Sequence, residues 1–342
     1  MGKSGGVFIV LAALVMSVII WGNPLPKLIA AFIPQAPTAL TISSLPASLD
    51  LSVTEAQLMS HVAALAQPRV TPAQKAAARS YLVTQLTTYG LAPTEQRYST
   101  AAGEGVNVIA EIAGSDPTAG AIVLGAHYDT VVNSPGADDN GSAIATLLET
   151  ARVLSAQTAP PAPATLKLVF FDQEEQQPDG SGLLGSLAFV QETDVSDVKG
   201  AVILDMVGYA CRTEGCQTYP ARLPIPNLPT TGDFLAVLGL QEKTDLLIGA
   251  FMQSAQSNWP LVLSLPIPQP TLKFFPDLLR SDHAPFWNQD IPAVFVSDTA
   301  NFRNPHYHTA QDTVDTLDRS FFRGSAQHIV NAIASLLNQT AP

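Results

Sequence analysis

Residues 121–142 read AIVLGAHYDTVVNSPGADDNGS, and the rest of the 342-residue chain is organised around them. The apolar run at its start is typical of a buried β-strand. The strand ends on His127, and Asp129 follows two residues later. A loop then presents Asp138 and Asp139 ahead of a predicted helix. An imidazole and three carboxylates at one strand end repel each other and lose hydration unless a cation lies among them. We therefore expect a metal site here.

Strands and helices alternate downstream of this stretch. The pattern predicts strand 121–126, helix 142–155, strand 165–171, helix 184–191 and strand 200–205. Alternating β–α–β units predict an α/β domain with a mostly parallel sheet and helices on both faces. In such sheets, ligands collect beyond the carboxyl ends of the strands.

The remaining elements are predicted from the same periodicities. Upstream lie helices 53–66 and 72–89 and a hairpin of strands 94–100 and 105–113. Downstream lie helices 233–240 and 243–257, an irregular Pro-rich segment 258–280, strand 292–297 and a final helix 320–337.

The composition limits the classes of function. A formal charge of -12 without a basic patch argues against nucleic-acid binding. The uncharged apolar run 7–21 predicts that residues 1–22 are a signal or an N-terminal membrane anchor, with 23–50 as a linker. We expect an uncleaved anchor that contacts the membrane, so that the domain 51–342 is exported to the periplasmic or extracellular face.

The chain has two cysteines, Cys211 and Cys216. In an exported protein, a spacing of five residues is typical of a small local disulfide loop. A zinc knuckle would need further thiols, so we predict a disulfide.

Further acids and imidazoles follow other predicted strands. Glu174 and Glu175 come after strand 165–171, Asp205 ends strand 200–205, and His308 lies near the C-terminus. Together with His127 and Asp138, they form a mixed nitrogen and oxygen ligand set suited to zinc. One of the adjacent glutamates can bind metal while the other acts as general base.

A third polar cluster reads Ser281-Asp282-His283. No Gly-x-Ser-x-Gly elbow occurs in the chain, so a nucleophilic triad is not indicated. We interpret Asp282 and His283 as groups of the substrate pocket or of the surroundings of the metal ligands. Asp129, two residues after His127, is placed to hold that imidazole.

Six motifs occur in a recognisable order: His-Tyr-Asp, Gly-Ala-Asp-Asp-Asn, Glu-Glu before Gly-Leu-Leu-Gly-Ser, Leu-Asp-Met, Ser-Asp-His-x-Pro-Phe and Tyr-His-Thr-x-x-Asp-Thr. From about residue 55 onward, the chain resembles the exported dizinc aminopeptidases, whose relatives include bacterial leucyl-type aminopeptidases and glutaminyl cyclases. The resemblance implies a single three-layer α/β domain with a mixed, mostly parallel sheet of about eight strands.

The resemblance also implies roles for particular residues. It implies two zinc ions per chain, one held by His127 and Asp205, the other by Glu175 and His308, with Asp138 as the bridge. Glu174 matches the general base, and Asp129 matches the carboxylate that supports the first histidine. The family tends to have a cis peptide bond at the positions matching Asp138 and Asp139.

Two departures from the family concern the pocket. Some relatives have a tyrosine that stabilises the oxyanion at the position of Leu278, and Arg280 or Tyr307 is a possible substitute here. Residues 176–181 lengthen the spacing after Glu175, so the substrate preference does not carry over.

His306 competes with His308 as the ligand, and His308 is favoured because Thr-x-x-Asp-Thr follows it.

The sequence therefore predicts a zinc aminopeptidase that acts on peptides with a free N-terminus. One alternative is a glutaminyl cyclase, which would use a single zinc ion and cyclise an N-terminal glutamine. The other is a membrane-tethered ectodomain without catalytic activity, which would have lost metal ligands.

Overall fold

The computed structural model describes residues 49–157, 161–219, 227–254 and 259–339. The predicted N-terminal anchor and nearly all of the predicted linker lie outside these residues. Across the four ranges, none of the helices combines the length and the apolar character that crossing a membrane requires.

Seven α-helices and eight β-strands make up the described ranges. The helices are α1 Glu55–Leu65, α2 Pro72–Thr88, α3 Gly141–Ser155, α4 Leu184–Glu192, α5 Asp245–Ser254, α6 His283–Asn288 and α7 Arg319–Leu337. The strands are β1 Thr94–Thr100, β2 Gly103–Ile112, β3 Ala121–His127, β4 Thr165–Phe171, β5 Val198–Leu204, β6 Phe234–Leu240, β7 Leu261–Ile267 and β8 Ala293–Ser297.

All eight strands form one mixed sheet in the order β1-β2-β4-β3-β5-β8-β6-β7. The pairs β3/β4, β3/β5, β5/β8 and β6/β7 are parallel, and β1/β2, β2/β4 and β6/β8 are antiparallel. The predicted fold class, an α/β domain with a mostly parallel sheet of about eight strands, is confirmed.

Helices cover both faces of the sheet. The larger core lies under α1, α2, α3, α5 and α7 and contains Leu82, Leu147 and Ile329. The smaller core lies under α4 and α6, where Phe171 packs edge-on against Phe189. The central strand β3 is buried along its whole length, as expected for a strand with helices on both sides.

Strand register brings the carboxyl ends of the central strands to one edge of the sheet. His127, the last residue of β3, pairs with Phe171, the last residue of β4. Leu204 at the end of β5 pairs with Val296 of β8. Residues that directly follow these strands therefore meet in one place.

Two predicted elements are wrong. Residues 233–240 are predicted as a helix, but Phe234–Leu240 form strand β6. A short run without polar side chains fits either structure, and pairing with β7 and β8 decides between them. The segment 258–280, predicted as irregular, contains β7. Pro266 made a strand improbable there, but β7 is an edge strand, where a missing N–H is tolerated.

The predicted disulfide between Cys211 and Cys216 is present, with 6.2 Å between the two Cα atoms. Helix α2 begins as its sequence predicts, with Thr71 as N-cap and Pro72 at the first helical position. The Thr71 hydroxyl accepts a hydrogen bond from the Gln74 N–H.

A buried ion pair ties α2 to the end of β4. Lys75 Nζ lies 2.7 Å from Asp172 Oδ1, and only 10% and 1% of the two side chains are exposed. Asp172 also accepts hydrogen bonds from the N–H groups of Val106 and Gln173. Because the Asp172 turn leads to Glu174 and Glu175, this pair supports the segment that presents them.

Replacement of Lys75 by Met should lower the free energy of unfolding by about 3–5 kcal/mol, since a buried carboxylate would lose its counter-charge. Urea denaturation followed by circular dichroism measures the change. The control is Glu104→Gln, which breaks the solvent-exposed pair between Arg97 and Glu104 and should leave stability unchanged within error. Equal effects of the two variants would contradict a supporting role for the buried pair.

Candidate active site

The site lies at the carboxyl edge of the sheet. His127 ends β3, Glu174 and Glu175 follow β4, and Asp205 directly follows β5. The fifth contributor, His308, comes from the loop between β8 and α7 and has a positive φ of 59°. Residues from four distant parts of the sequence thus converge.

The His127 imidazole faces three carboxylates. Its Nε2 lies 3.4 Å from Asp139 Oδ1, 3.7 Å from Asp205 Oδ1 and 3.8 Å from Glu174 Oε2. On the other side of the ring, Nδ1 lies 3.3 Å from the main-chain oxygen of Asp129. A carbonyl oxygen can only accept a hydrogen bond, so Nδ1 donates to it and Nε2 is the ring nitrogen that faces the carboxylates.

The His308 imidazole faces two carboxylates. Its Nε2 lies 3.2 Å from Asp139 Oδ2 and 3.2 Å from Glu175 Oε2. The two oxygens of Asp139 therefore point toward different histidines. Asp139 occupies the position that a ligand shared by two cations would take.

The predicted bridge, Asp138, is corrected by one residue. The Asp138 carboxylate turns away from both imidazoles and accepts hydrogen bonds from the Ser142 hydroxyl (2.9 Å), the Gly208 N–H (3.0 Å) and the Asn304 amide (2.8 Å). Side chains of neighbouring residues point in different directions, so only one of the two aspartates can face the histidines. The cis peptide bond is also one position later than expected, between Asp139 and Asn140.

Two buried carboxylates hold the backbone of the site. Asp129 accepts hydrogen bonds from the N–H groups of Glu174 and Glu175, at 3.1 and 3.2 Å. Asp312 does the same for Asp138 and Asp139, at 2.9 and 3.1 Å. Asp129 thereby fixes two glutamates that each face a histidine. Asp312 fixes Asp139, which faces both histidines, and Asp138, which faces neither. Asp129 also lies against His127, as expected: the Nδ1 of His127 is 3.3 Å from the main-chain oxygen of Asp129 and 3.6 Å from its carboxylate Oδ1.

A buried arginine fixes the loop between β3 and α3. The Arg69 guanidinium donates to the carbonyl oxygens of Tyr128 (2.6 Å), Pro135 (3.0 Å) and Gly136 (3.1 Å). Burial lowers the pKa of Arg69 to about 10, against the opposing pull of the carboxylates of Asp139 and Asp129. It therefore stays charged at neutral pH and places a permanent cation behind the acids.

The spacing of the donor atoms fits a zinc ion better than hydrogen bonds. Ligands 2.0–2.2 Å from a tetrahedral zinc ion lie about 3.3–3.6 Å apart, close to the observed contacts of 3.2–3.8 Å. Donor atoms of His127, Asp139 and Glu175 all lie within 4.8 Å of one another, and so do those of His127, Glu174 and Asp205. Glu175 Oε1 is buried and has no hydrogen-bond partner among the described residues.

The pKa values show that the cluster attracts positive charge. Burial alone would lower the pKa of His308, yet hydrogen bonds to Asp139 and Glu175 raise it to about 10. Burial raises the pKa of Glu175 to about 7 and that of Glu174 well above its usual range. Without a metal ion, protons therefore offset the negative charge of the crowded carboxylates. Divalent cations can offset the same charge.

The Ser-Asp-His cluster lies beside the site. His283 Nε2 donates to the Leu278 carbonyl oxygen at 2.8 Å, and burial lowers the pKa of His283 to about 4, so the ring is neutral. The Asp282 carboxylate is fully buried and without a hydrogen-bond partner among the described residues, and burial raises its pKa to about 7. This arrangement leaves His283 as part of the cavity wall rather than as a base.

A cavity of about 550 Å³ opens from the site. Its polar end is formed by the acids and imidazoles described above, together with Tyr307. The opposite wall is largely apolar and includes Phe234, Ala236, Leu238, Leu265, Ile267 and Phe295. The insertion at 176–181 contributes Gln176, Gly180 and Ser181 to the lining, so it does shape the rim.

Three residues contribute to the site although the sequence motifs do not assign them a role in it. Asp139 was recognised as part of the loop but not as the residue between the histidines. Asp312 was quoted only as part of a motif, although an acid four residues after a metal-ligand candidate was a usable signal. Arg69 had no signal in the sequence, because its partners are main-chain oxygens.

The fold and the donor set define the class of metal-dependent peptidases, and comparison with known families agrees. Residues 107–228 and 240–333 match the model of peptidase family M28. Because that match covers more than half of the chain, the chain belongs to peptidase family M28 and is a metallopeptidase.

Individual relatives extend the comparison. The chain is 32% identical over 260 residues to the uncharacterized protein YfbL of Escherichia coli (strain K12), covering 73% of this chain and 76% of YfbL. It is 28% identical over 229 residues to the probable lipoprotein aminopeptidase LpqL of Mycobacterium tuberculosis, covering 63% of this chain but only 42% of LpqL. The fold resembles that of BSAP, a zinc aminopeptidase from Bacillus subtilis, with a TM-score of 0.64, 15% identity and coverage of 83% and 95%.

Substitution of the two neighbouring aspartates separates their roles. Asp139→Asn should reduce the zinc content to roughly half of the wild-type value or less, because the carboxylate that faces both histidines is lost. Asp138→Asn should keep the wild-type content, since its amide oxygen can still accept from the Gly208 N–H. Elemental analysis of the dialysed proteins measures both. The reverse pattern would restore Asp138 as the bridge.

Proposed function

We propose that this chain is an aminopeptidase that uses two zinc ions to remove the N-terminal residue from peptides. The observation that carries the proposal is the Asp139 carboxylate, whose two oxygens face His127 and His308. His127 and Asp205 would hold one zinc ion, Glu175 and His308 the other, and Asp139 both. A bound zinc pair supplies a lowered pKa for a water molecule and polarisation of the scissile carbonyl.

Glu174 is the proposed general base. Its carboxylate lies at the edge of the ligand set, 3.8 Å from His127 Nε2, and Asp129 fixes its backbone. Burial raises the pKa of Glu174, and bound zinc would favour the ionised carboxylate that a general base requires. Glu174 therefore accepts a proton from the attacking water and passes it to the leaving amine.

Tyr307 is the proposed donor to the oxyanion. Its hydroxyl accepts a hydrogen bond from Arg280 Nη2 at 2.9 Å, which leaves its own proton for another acceptor. Burial raises the pKa of Tyr307, so the phenol stays protonated. A fixed donor beside His308 can stabilise the negative charge that develops on the carbonyl oxygen, and it compensates for Leu278, which stands where some relatives have a tyrosine.

The substrate is proposed to be a peptide with a free N-terminus. The named aminopeptidase among the relatives supports this class of substrate. The apolar wall of the cavity offers a surface for the side chain of the N-terminal residue.

The proposed place of action is outside the cytoplasm. A disulfide between Cys211 and Cys216 is stable in an oxidising compartment and rare in the cytosol. The apolar segment 7–21 would direct the chain to the membrane and tether it there.

Replacement of Glu174 by Gln should leave about two zinc ions per chain and reduce kcat roughly 100-fold or more, because the amide cannot accept the proton. Zinc analysis and hydrolysis of leucine p-nitroanilide measure the two effects. The matched control is Glu192→Gln, an exposed residue of α4, which should behave as wild type. Wild-type turnover in Glu174→Gln would remove Glu174 from its role.

The alternative function, cyclisation of an N-terminal glutamine, is tested with a glutaminyl peptide. An aminopeptidase releases free glutamine or leaves the peptide intact. Formation of pyroglutamyl peptide with about one zinc ion per chain would favour a cyclase instead.

A further inference from the structure

The cavity contains one strongly basic side chain. Among the described residues that line it, Arg280 is the only arginine or lysine, whereas five of the lining residues are acids: Asp139, Glu174, Glu175, Asp205 and Asp277. Arg280 does not belong to the proposed zinc ligands. The positive charge of Arg280 repels metal ions that bind nearby, so Arg280 does not assist metal binding. We therefore looked for an anionic ligand that it could bind.

The guanidinium is held in a defined orientation. Its Nη1 donates to Asp277 Oδ1 and to Asn301 Oδ1, each at 3.2 Å. Its Nη2 donates to the Tyr307 hydroxyl, and its Cζ lies 5.9 Å from the centroid of that ring. A guanidinium fixed on this many sides loses little conformational freedom when a ligand binds.

The charge of Arg280 is not consumed by these contacts. Asp277 is its one carboxylate partner among the described residues, and 43% and 39% of the two side chains are exposed, so water screens the pair and weakens it. None of the described residues accepts a hydrogen bond from Nε of Arg280. The edge formed by Nε and Nη2 matches the two oxygens of a planar carboxylate.

Arg280 lies within reach of a short substrate. The Tyr307 ring, which the guanidinium contacts, stacks on the His308 ring with 3.7 Å between centroids. Arg280 Cζ lies 5.9 Å from the centroid of the Tyr307 ring. The sum of these two distances is therefore the upper limit of the distance between Arg280 Cζ and the centroid of the His308 ring. One residue of a peptide spans roughly 3.8 Å, so a carboxylate about one or two residues beyond the scissile bond can reach Arg280.

We propose that Arg280 binds a carboxylate of the substrate, which makes peptides of two or three residues with a free C-terminus the preferred substrates. The inference rests on the proposed aminopeptidase function. The same chemical group is present in the C-terminal carboxylate and in an acidic side chain next to the scissile bond. The short reach favours the C-terminal carboxylate, because every dipeptide and tripeptide with a free C-terminus has one at this distance.

The zinc-loaded enzyme is tested on three dipeptides: Leu-Ala, Leu-Ala amide and Leu-Asp amide. We expect kcat/KM to be roughly 10- to 100-fold higher for Leu-Ala than for its amide, the gain expected from a hydrogen-bonded charge pair. A preference for Leu-Asp amide over both Leu-Ala peptides would assign Arg280 to an acidic side chain and overturn the preference for short peptides. A ratio near one for Leu-Ala and its amide, with Leu-Asp amide no better, would overturn carboxylate binding altogether.

Variants test whether Arg280 causes the preference. Arg280→Met should bring the ratio between Leu-Ala and its amide close to one, and Arg280→Lys should retain part of it. The control is Lys273→Met. Lys273 is an exposed residue seven positions before Arg280 that does not line the cavity, so its removal should keep the full ratio. Arg280→Met also removes the hydrogen bond to the Tyr307 hydroxyl, and weaker oxyanion stabilisation by Tyr307 should lower the rates for Leu-Ala and its amide equally. An unchanged ratio between the two substrates in Arg280→Met would overturn the inference.

Two further measurements keep the inference separate from the proposed function. Calorimetric titration of Leu-Ala and its amide into Glu174→Gln reports binding without turnover, and Arg280→Met in that background should abolish the difference. Hydrolysis of leucine p-nitroanilide by the wild type tests the proposed function alone. Activity on that substrate without a carboxylate preference overturns the Arg280 inference only, whereas no hydrolysis of any peptide overturns the proposed function.

Discussion

Concentrated negative charge at one edge of the sheet is the constraint on which the rest of the structure depends. The parallel strands β3, β4 and β5 deliver their following residues to the same place, and most of those residues are acids. Buried carboxylates are costly unless positive charge or N–H donors surround them. Two imidazoles and Arg69 supply part of that positive charge, and the spacing of the remaining donor atoms fits divalent cations.

The geometry of the site is fixed largely by groups that bind the backbone of the candidate ligands. Asp129 and Asp312 each bind two successive N–H groups, and Arg69 binds the carbonyl oxygens of the loop before α3. These contacts are between buried partners, where a hydrogen bond is electrostatically stronger than in water. They explain how residues from both ends of the domain produce one arrangement of side chains.

Much of this structure follows from the sequence, because its signals are local. The alternation of apolar strands and helices predicts the central sheet, and the position of His127 and Asp205 at strand ends predicts where they meet. The choice between Asp138 and Asp139 is not local, since it depends on donors from Ser142, Gly208 and Asn304. Strand β6 is likewise decided by its neighbours β7 and β8, because its sequence fits a helix equally well.

The most direct test of the central claim is a crystal structure of the protein grown with zinc, with diffraction measured on both sides of the zinc absorption edge. The account predicts two anomalous peaks about 3.5–4 Å apart, one beside His127 and Asp205, the other beside Glu175 and His308, with an oxygen of Asp139 facing each. A single peak, or a pair of peaks that contact Asp138 while Asp139 points away, would contradict it.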